Sequence, residues 1–444
     1  MNIGFISLGC AKNRVDTETM MGLVKSAGHK IVNCLERADA IVINTCGFIQ
    51  SAKEEAIDTI LDTARYKETG GLKYLIATGC LCQRYADEMY SELPELDAVL
   101  GIAHFSELSA VLDRLEQGQR LLLNDSPPTL YPSGGPRILT TPPGSAYLRI
   151  TDGCNNRCAY CTIPAIRGNL RSRALADICR EAEQLAAGGI RELVLVAQDT
   201  AAYGQEDNEP HRLRELLAAL SDIPRLEWIR LMYLHPQHIT EELIEAITGC
   251  GKVLPYLDMP IQHASDSMLR AMNRGHNQSY LRNLISRLRA SINSLVLRTT
   301  VMAGFPGETE EDFRELLDFI DEIAFDWLGA FAYVKEEGTA AAGMTDQIDE
   351  EVKEERLRQV MLRQARITRN KNIARLEKAE KVLISSQMDK NLFVGRAWFQ
   401  APEVDGLTLV KSDLKLNRGE FAQVRLKGVR NTDLIGEAIY ESAQ

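Results

Sequence analysis

The run Cys154-Asn155-Asn156-Arg157-Cys158-Ala159-Tyr160-Cys161 carries the clearest chemistry in the chain. Its spacing is C-x3-C-x2-C, and it directly follows a strand-like stretch ending at Ile150. A zinc site normally wants four ligands, typically as two C-x2-C pairs, and no second pair is present. Three thiolates this close suit three corners of an iron–sulfur cubane. One iron is then left without a protein ligand, where a small molecule can chelate. Buried structural cysteines rarely fall at this spacing after a strand.

A second set is dispersed. Cys10, Cys46 and Cys80 each come within a few residues of the end of an apolar strand, in Ile6-Ser7-Leu8-Gly9-Cys10, Ile43-Asn44-Thr45-Cys46-Gly47 and Ala77-Thr78-Gly79-Cys80. Each has a neighbouring glycine. In a parallel sheet such strand ends share one edge, outside which ligands bind. The three thiolates are therefore expected to converge on a second cluster. Its open iron could carry an exogenous sulfur. Cys82 competes as a ligand but lacks the glycine. The plain alternative is three buried cysteines, and Cys34, Cys179 and Cys250 are read that way.

Strands must end beside these cysteines to position them. Residues 1–118 alternate strand and helix signals: strands at 3–7, 40–44 and 74–78, helices at 17–26, 51–65 and from about Arg84. This order predicts a parallel α/β sheet with helices on both faces. Residues 119–145 read as a linker, with Pro127-Pro128, Ser133-Gly134-Gly135-Pro136 and Pro142-Pro143-Gly144. A second βα series fills 146–375, with strands expected at 147–150, 192–197, 228–233, 256–260, 296–302 and 328–332. Six strands predict a partial (β/α) barrel, open or closed, with its chemistry at the C-terminal strand ends. The charged stretch 350–382 reads as one basic-looking helix, a solvated face packed against that barrel. Five short strands from Val382 onward predict a small antiparallel β-barrel within 376–444.

The composition bounds the partners. The chain has 444 residues, 45% apolar and 25% charged, an ordinary globular balance for about three domains. No apolar run reaches the ~20 residues of a membrane span. Met1-Asn2-Ile3-Gly4-Phe5 enters a strand without a basic, signal-like start, so a cytoplasmic protein with reduced thiols is expected. A net charge of −11 argues against nucleic acid as main partner and suits a basic protein.

The cysteine run identifies the central segment as similar to the radical S-adenosylmethionine superfamily. The resemblance implies a [4Fe–4S] cluster on Cys154, Cys158 and Cys161. Its open iron would bind S-adenosylmethionine, whose reductive cleavage yields a 5′-deoxyadenosyl radical. Tyr160 matches the family's aromatic position beside the adenine, against a plain packing role. Gln198 and Asp199, in Ala197-Gln198-Asp199-Thr200, stand where the superfamily often has Gly-Gly-Glu, and so depart from its pattern. Gly304 and Gly307, in Gly304-Phe305-Pro306-Gly307-Glu308, could let the cofactor approach the backbone or could simply form a tight turn.

Along its whole length the chain resembles the methylthiotransferase family, which joins an N-terminal second-cluster domain, a radical barrel and a C-terminal TRAM domain. One branch acts on tRNA adenosine, and the RimO branch on an aspartate of ribosomal protein S-twelve. Motifs favouring RimO are Ser7-Leu8-Gly9-Cys10-Ala11-Lys12-Asn13 with Asp16-Thr17-Glu18, Asn44-Thr45-Cys46-Gly47-Phe48-Ile49, Gly79-Cys80-Leu81-Cys82-Gln83-Arg84-Tyr85, Ile163-Pro164-Ala165-Ile166-Arg167-Gly168 and Ala401-Pro402-Glu403-Val404-Asp405-Gly406. From Leu383 onward eight basic residues balance eight acidic ones, whereas a tRNA-gripping module should be basic. The resemblance implies hydrogen removal from the aspartate β-carbon, then methylthio transfer from the second cluster. It also implies a low-potential electron donor such as flavodoxin or ferredoxin and a sulfur donor. The expected substrate is S-twelve, free or in the small subunit, with tRNA and membrane excluded. The rivals are a tRNA methylthiotransferase and a non-catalytic iron–sulfur or zinc protein of the ribosome.

Overall fold

The computed structural model describes residues 1–127, 135–207 and 212–439. The linker residues 128–134 and Tyr440, at the end of the last expected strand, lie outside the described residues. Strands β1 (Asn2–Ser7), β2 (Lys30–Ile31), β3 (Ala40–Thr45), β4 (Tyr74–Gly79), β5 (Ala98–Leu100) and β6 (Leu121–Leu123) form a sheet in the order β2-β1-β3-β4-β5-β6. All its pairs are parallel. β3 is buried at every residue, as a central strand covered on both faces should be. Ile41, Ile43, Ile60 and Leu75 fill one face, and Ile3, Met20, Val42 and Leu112 the other. The first helix starts at Ala11, six residues before the expected Thr17. The polar stretch Lys12-Asn13-Arg14 hid its period because those side chains face the site described below. Leu121–Leu123, inside the stretch read as a linker, adds the edge strand β6.

The second sheet joins β7 (Ser145–Arg149), β10 (Glu192–Val196), β11 (Trp228–Leu231), β12 (Val253–Asp258), β13 (Val296–Ala303) and β14 (Trp327–Ala332). They pair in parallel and in chain order, leaving an open half-barrel with edges at β7 and β14. Between β7 and β10, β8 (Thr151–Asp152) and β9 (Arg171–Ser172) form a small antiparallel ribbon. The long charged helix is Glu350–Ile373, and its Val360 and Ile367 join the core beneath the barrel. Among the described residues no helix is long and apolar enough to cross a membrane.

Strands β15 (Ala379–Asp389), β16 (Leu392–Ala397), β17 (Thr408–Lys411), β18 (Phe421–Arg430) and β19 (Asp433–Ala438) close a barrel. Its pairs are antiparallel except β17 with β19. This barrel plugs the half-barrel. Phe393, Phe399 and Ala401 share a core with the lumen residues Tyr147, Val194 and Tyr256. Trp327 Nε1 donates to Phe399 O at 2.7 Å. Glu192 is fully buried between Arg230, 2.8 Å away, and Arg396. Burial would raise its carboxyl pKa, but the two guanidinium groups outweigh burial and hold it at about 2. Asp405 accepts from Tyr256 OH at 2.6 Å and faces Arg298 Nε at 3.4 Å. Burial dominates there and pushes its carboxyl up to about 6.

Removing one member of a buried ion cluster leaves its partners uncompensated, at a cost of about 3–5 kcal/mol. Glu192→Ala is expected to lose about that much stability in urea unfolding. An unchanged midpoint would show that docking of the two barrels does not depend on this carboxylate.

Candidate functional site

Three neighbouring strands of the first sheet deliver the dispersed cysteines to one edge. Cys10 is the N-cap residue of the helix Ala11–Ser26, Cys46 follows β3, and Cys80 opens the helix Cys80–Arg84 directly after β4. The glycines permit their approach. Gly9 has φ +85°, and a Cβ there would stand 2.8 Å from Cys46 Cβ. Gly79 has φ +102°, and a Cβ would meet Asn44 Oδ1 at 2.4 Å. Asn13 ties the loops together, donating to Leu8 O at 3.2 Å and to Thr45 O at 3.0 Å. The competing Cys82 is buried in the apolar layer below, its sulfur 3.6 Å from Thr45 Oγ1.

The thiols act on one another through their charges. Burial pushes Cys46 up to about 11, with further push from the charges of Cys80 and Cys10, while Arg167 pulls the other way. Burial likewise raises Cys80. Cys10 behaves differently. Desolvation of its sulfur opposes ionisation, but the charges of Lys12 and Arg167 and the N–H groups of Asn13 and Lys12 outweigh it and lower the thiol.

The compact triplet lies on the loop after β8. Burial raises Cys154 to about 11 and Cys161 to about 12, and each is also raised by Cys158. Buried Arg274 donates to Cys158 Sγ at 3.4 Å and to Pro260 O at 2.7 Å. Tyr160, whose hydroxyl is pushed far up by burial, packs against Met268, Met272 and Phe305. A cavity of about 200 Å³ beside the loop is lined by Cys154, Asn156, Asp199, Gln205 and His238.

The remaining candidates differ in their freedom to meet a ligand. Gln198 donates to Asp152 at 3.1 Å, and its Oε1 is buried without a partner. Asp199 is already engaged, accepting from Asn156 at 2.9 Å and from the His235 N–H at 3.2 Å, with His238 Nδ1 at 2.6 Å. Gly304 and Gly307 act as turn formers. The Gly304 N–H donates to Glu308 at 2.5 Å and that of Gly307 to Asp346 O at 2.7 Å, so neither N–H is left for a cofactor. A Cβ on Gly304 would stand 2.3 Å from Lys353 Cγ.

What sequence reasoning missed is the charge joining the two triplets. The helix Ile163–Arg167 begins two residues after Cys161, and its last residue reaches Cys80. Arg167 is 2% exposed. It donates to Cys80 Sγ at 3.5 Å, Asn13 Oδ1 at 2.9 Å, Asp16 at 3.0 Å and Asp152 at 3.1 Å. Burial would raise Asp152, but Arg167, Arg149 and Arg171 outweigh it and hold its carboxyl at about 2. Asn13, Asp16 and Arg167 all stood inside motifs already singled out, but their convergence depends on tertiary packing. Between the domains, a cavity of about 230 Å³ is lined by Cys10, Tyr147, Val194, Met232, Tyr233 and Glu403.

Both triplets suit an iron–sulfur cluster. Burial is the main cause that raises Cys46, Cys80, Cys154 and Cys161, and bound iron would hold such sulfurs as thiolates. The orphaned Gln198 Oε1 suits a ligand that brings a hydrogen-bond donor.

Known proteins resemble the chain along its whole length. Residues 148–320 match the radical SAM superfamily, 2–101 the uncharacterized protein family UPF0004 and 378–439 the TRAM domain. A protein of Syntrophomonas wolfei subsp. wolfei named ribosomal protein uS12 methylthiotransferase RimO is 59% identical over 437 residues, covering 98% of this chain and 100% of the relative. Its namesake in Clostridioides difficile is 44% identical over 443 residues, covering 100% of each. Among solved structures, the radical S-adenosylmethionine methyltransferase TsrM from Kitasatospora setae, with cobalamin and a [4Fe–4S] cluster bound, superposes with a TM-score of 0.56 at 15% identity. That match covers 77% of this chain and 76% of TsrM, and it speaks to the fold.

A lowered thiol pKa means more thiolate and faster alkylation. In metal-free protein near pH 8, iodoacetamide is expected to label Cys10 well before Cys46, Cys154 or Cys161, read by peptide mass spectrometry. Equal labelling rates would contradict the role given to Lys12 and Arg167.

Proposed function

The chain belongs to the family of RimO, the ribosomal protein uS12 methylthiotransferases, and on that premise we infer that it inserts a methylthio group at the β-carbon of an aspartate of uS12. One observation carries the reading. The two cysteine triplets are joined by the single short helix Ile163–Arg167, which starts beside Cys161 and ends against Cys80. A substrate between them would meet both centres.

The cofactors are S-adenosylmethionine and two [4Fe–4S] clusters, with Cys154, Cys158 and Cys161 proposed to hold one and Cys10, Cys46 and Cys80 the other. When bound, they supply an organic radical able to remove hydrogen from carbon, and the sulfur that replaces it. The chain's own residues bind, orient and shield. Arg274 steadies Cys158 by hydrogen bonding, Tyr160 and Gln198 are proposed to contact S-adenosylmethionine, and Arg167 fixes one triplet relative to the other. The loop between β16 and β17, with Phe399 and Ala401, closes one end of the lumen, which excludes water from the reacting carbon.

The proposal also requires a low-potential electron donor such as flavodoxin or ferredoxin, a sulfur donor and a cytoplasmic setting. The even charge of the C-terminal barrel favours uS12 over tRNA.

The test is an anaerobic assay of the reconstituted enzyme with uS12 and with tRNA, read by mass spectrometry. About eight irons per chain and methylthiolation of uS12 alone are expected. Cys158→Ala is expected to abolish both 5′-deoxyadenosine and product. Cys46→Ala is expected to keep 5′-deoxyadenosine formation while stopping sulfur insertion. Modification of tRNA alone, or product from Cys46→Ala, would overturn the reading.

A further inference from the structure

We propose that Lys12 recognises the carboxylate of the target side chain, an assignment that rests on the aspartate-modifying function above. Lys12 lies on the first turn of the helix Ala11–Ser26, two residues past Cys10. Its ammonium sits 3.7 Å over the centre of the Tyr233 ring. Among the described residues it makes no hydrogen bond or ion pair with a carboxylate.

Asp258, the carboxylate that acts on Lys12, and those at and behind the neighbouring cavity are already held. Asp258 pairs with Arg298 at 2.8 Å and accepts from the Tyr233 N–H at 3.1 Å. Glu403 is held by Arg14 and by Tyr147 OH, the latter at 3.0 Å. Asp405 is held by Tyr256 and Arg298. Lys12 is therefore left with charge to spare, and its neighbours Cys10, Ala11 and Tyr233 line a cavity whose other walls are apolar apart from Tyr147 and Glu403.

The ring beneath it is held on purpose. Tyr233 has φ +61°, a left-handed conformation costly for a bulky residue. The backbone is pinned there by the bond to Asp258 and by Thr200 N–H donating to Tyr233 O at 2.9 Å. The strained turn presents an aromatic face that seats the ammonium without neutralising it.

The chemistry needs such a cation. In an aspartate the reacting carbon is bonded directly to the carboxylate carbon. Gripping the carboxylate therefore fixes the C–H that must be broken, and does so next to Cys10. An uncharged adenine edge would accept a hydrogen bond from the same ammonium but would lack the charge pairing of a carboxylate. The simpler alternative is that Lys12 only offsets the charge of Cys10.

The test compares uS12 loop peptides carrying aspartate or asparagine at the target, using the reconstituted enzyme. Affinity is read by fluorescence anisotropy without reductant, and product by mass spectrometry after reduction. A charge-assisted hydrogen bond predicts a preference for aspartate of about 10- to 100-fold in Kd. Lys12→Met should bring that ratio close to one, and Lys12→Arg should restore most of it. The proposal is overturned if wild-type enzyme binds both peptides equally, or if Lys12→Met weakens both by the same factor, as an effect through Cys10 would. Wild-type enzyme that leaves uS12 untouched and modifies tRNA would instead sink the function on which the proposal stands, so the two failures show in different arms.

Discussion

A buried guanidinium must be met by anions, and Arg167 meets them on both sides of a domain boundary. Asp16 comes from the first domain and Asp152 from the second, while Cys80 supplies the third contact. An isolated charge at this depth would be prohibitively costly to desolvate. The two domains can therefore bury this surface only in the arrangement that satisfies Arg167, and that arrangement sets the spacing of the two cysteine triplets. Asn13 refines it, touching Leu8, Thr45 and Arg167 together.

The open half-barrel poses a second constraint. Six strands leave the lumen unsealed, and a radical centre must be kept from water. The C-terminal barrel supplies the floor through Phe399 and Ala401, and buried charges fix its pose: Glu192 against Arg230 and Arg396, and Asp405 against Arg298. Arg396 and Asp405 thus serve the interior. They remove one basic and one acidic residue from the exterior, so the even charge balance of this domain survives on its surface.

Covalent spacing and strand periodicity made much of this legible in the sequence. The C-x3-C-x2-C run needs only local geometry, and the glycine-flanked cysteines follow from parallel strand ends. The half-barrel strands were visible as apolar runs because both faces are covered. Other features depend on what packs against what. The start of the first helix was hidden because Lys12, Asn13 and Asp16 turn toward the site and interrupt the apolar period. β2, β5 and β6 are too short to show one. Asp199, Gly304 and Gly307 fitted a cofactor contact by position, and the sequence did not show that Asp199 and Gly307 already bond residues far along the chain and Gly304 its near neighbour Glu308. Cys82 was separated from Cys80 by the direction of its side chain.

The helix Ile163–Arg167 acts as a ruler. Each residue in a helix adds about 1.5 Å and turns the chain by about 100°. One inserted or deleted residue would swing the guanidinium away from Cys80 and both carboxylates at once. The two domains are therefore not interchangeable modules. A chimera that borrows either one from a distant relative inherits a mismatch unless Asp16, Asp152 and the ruler are exchanged together, so over evolutionary time the halves of this enzyme must drift as a single heritable unit.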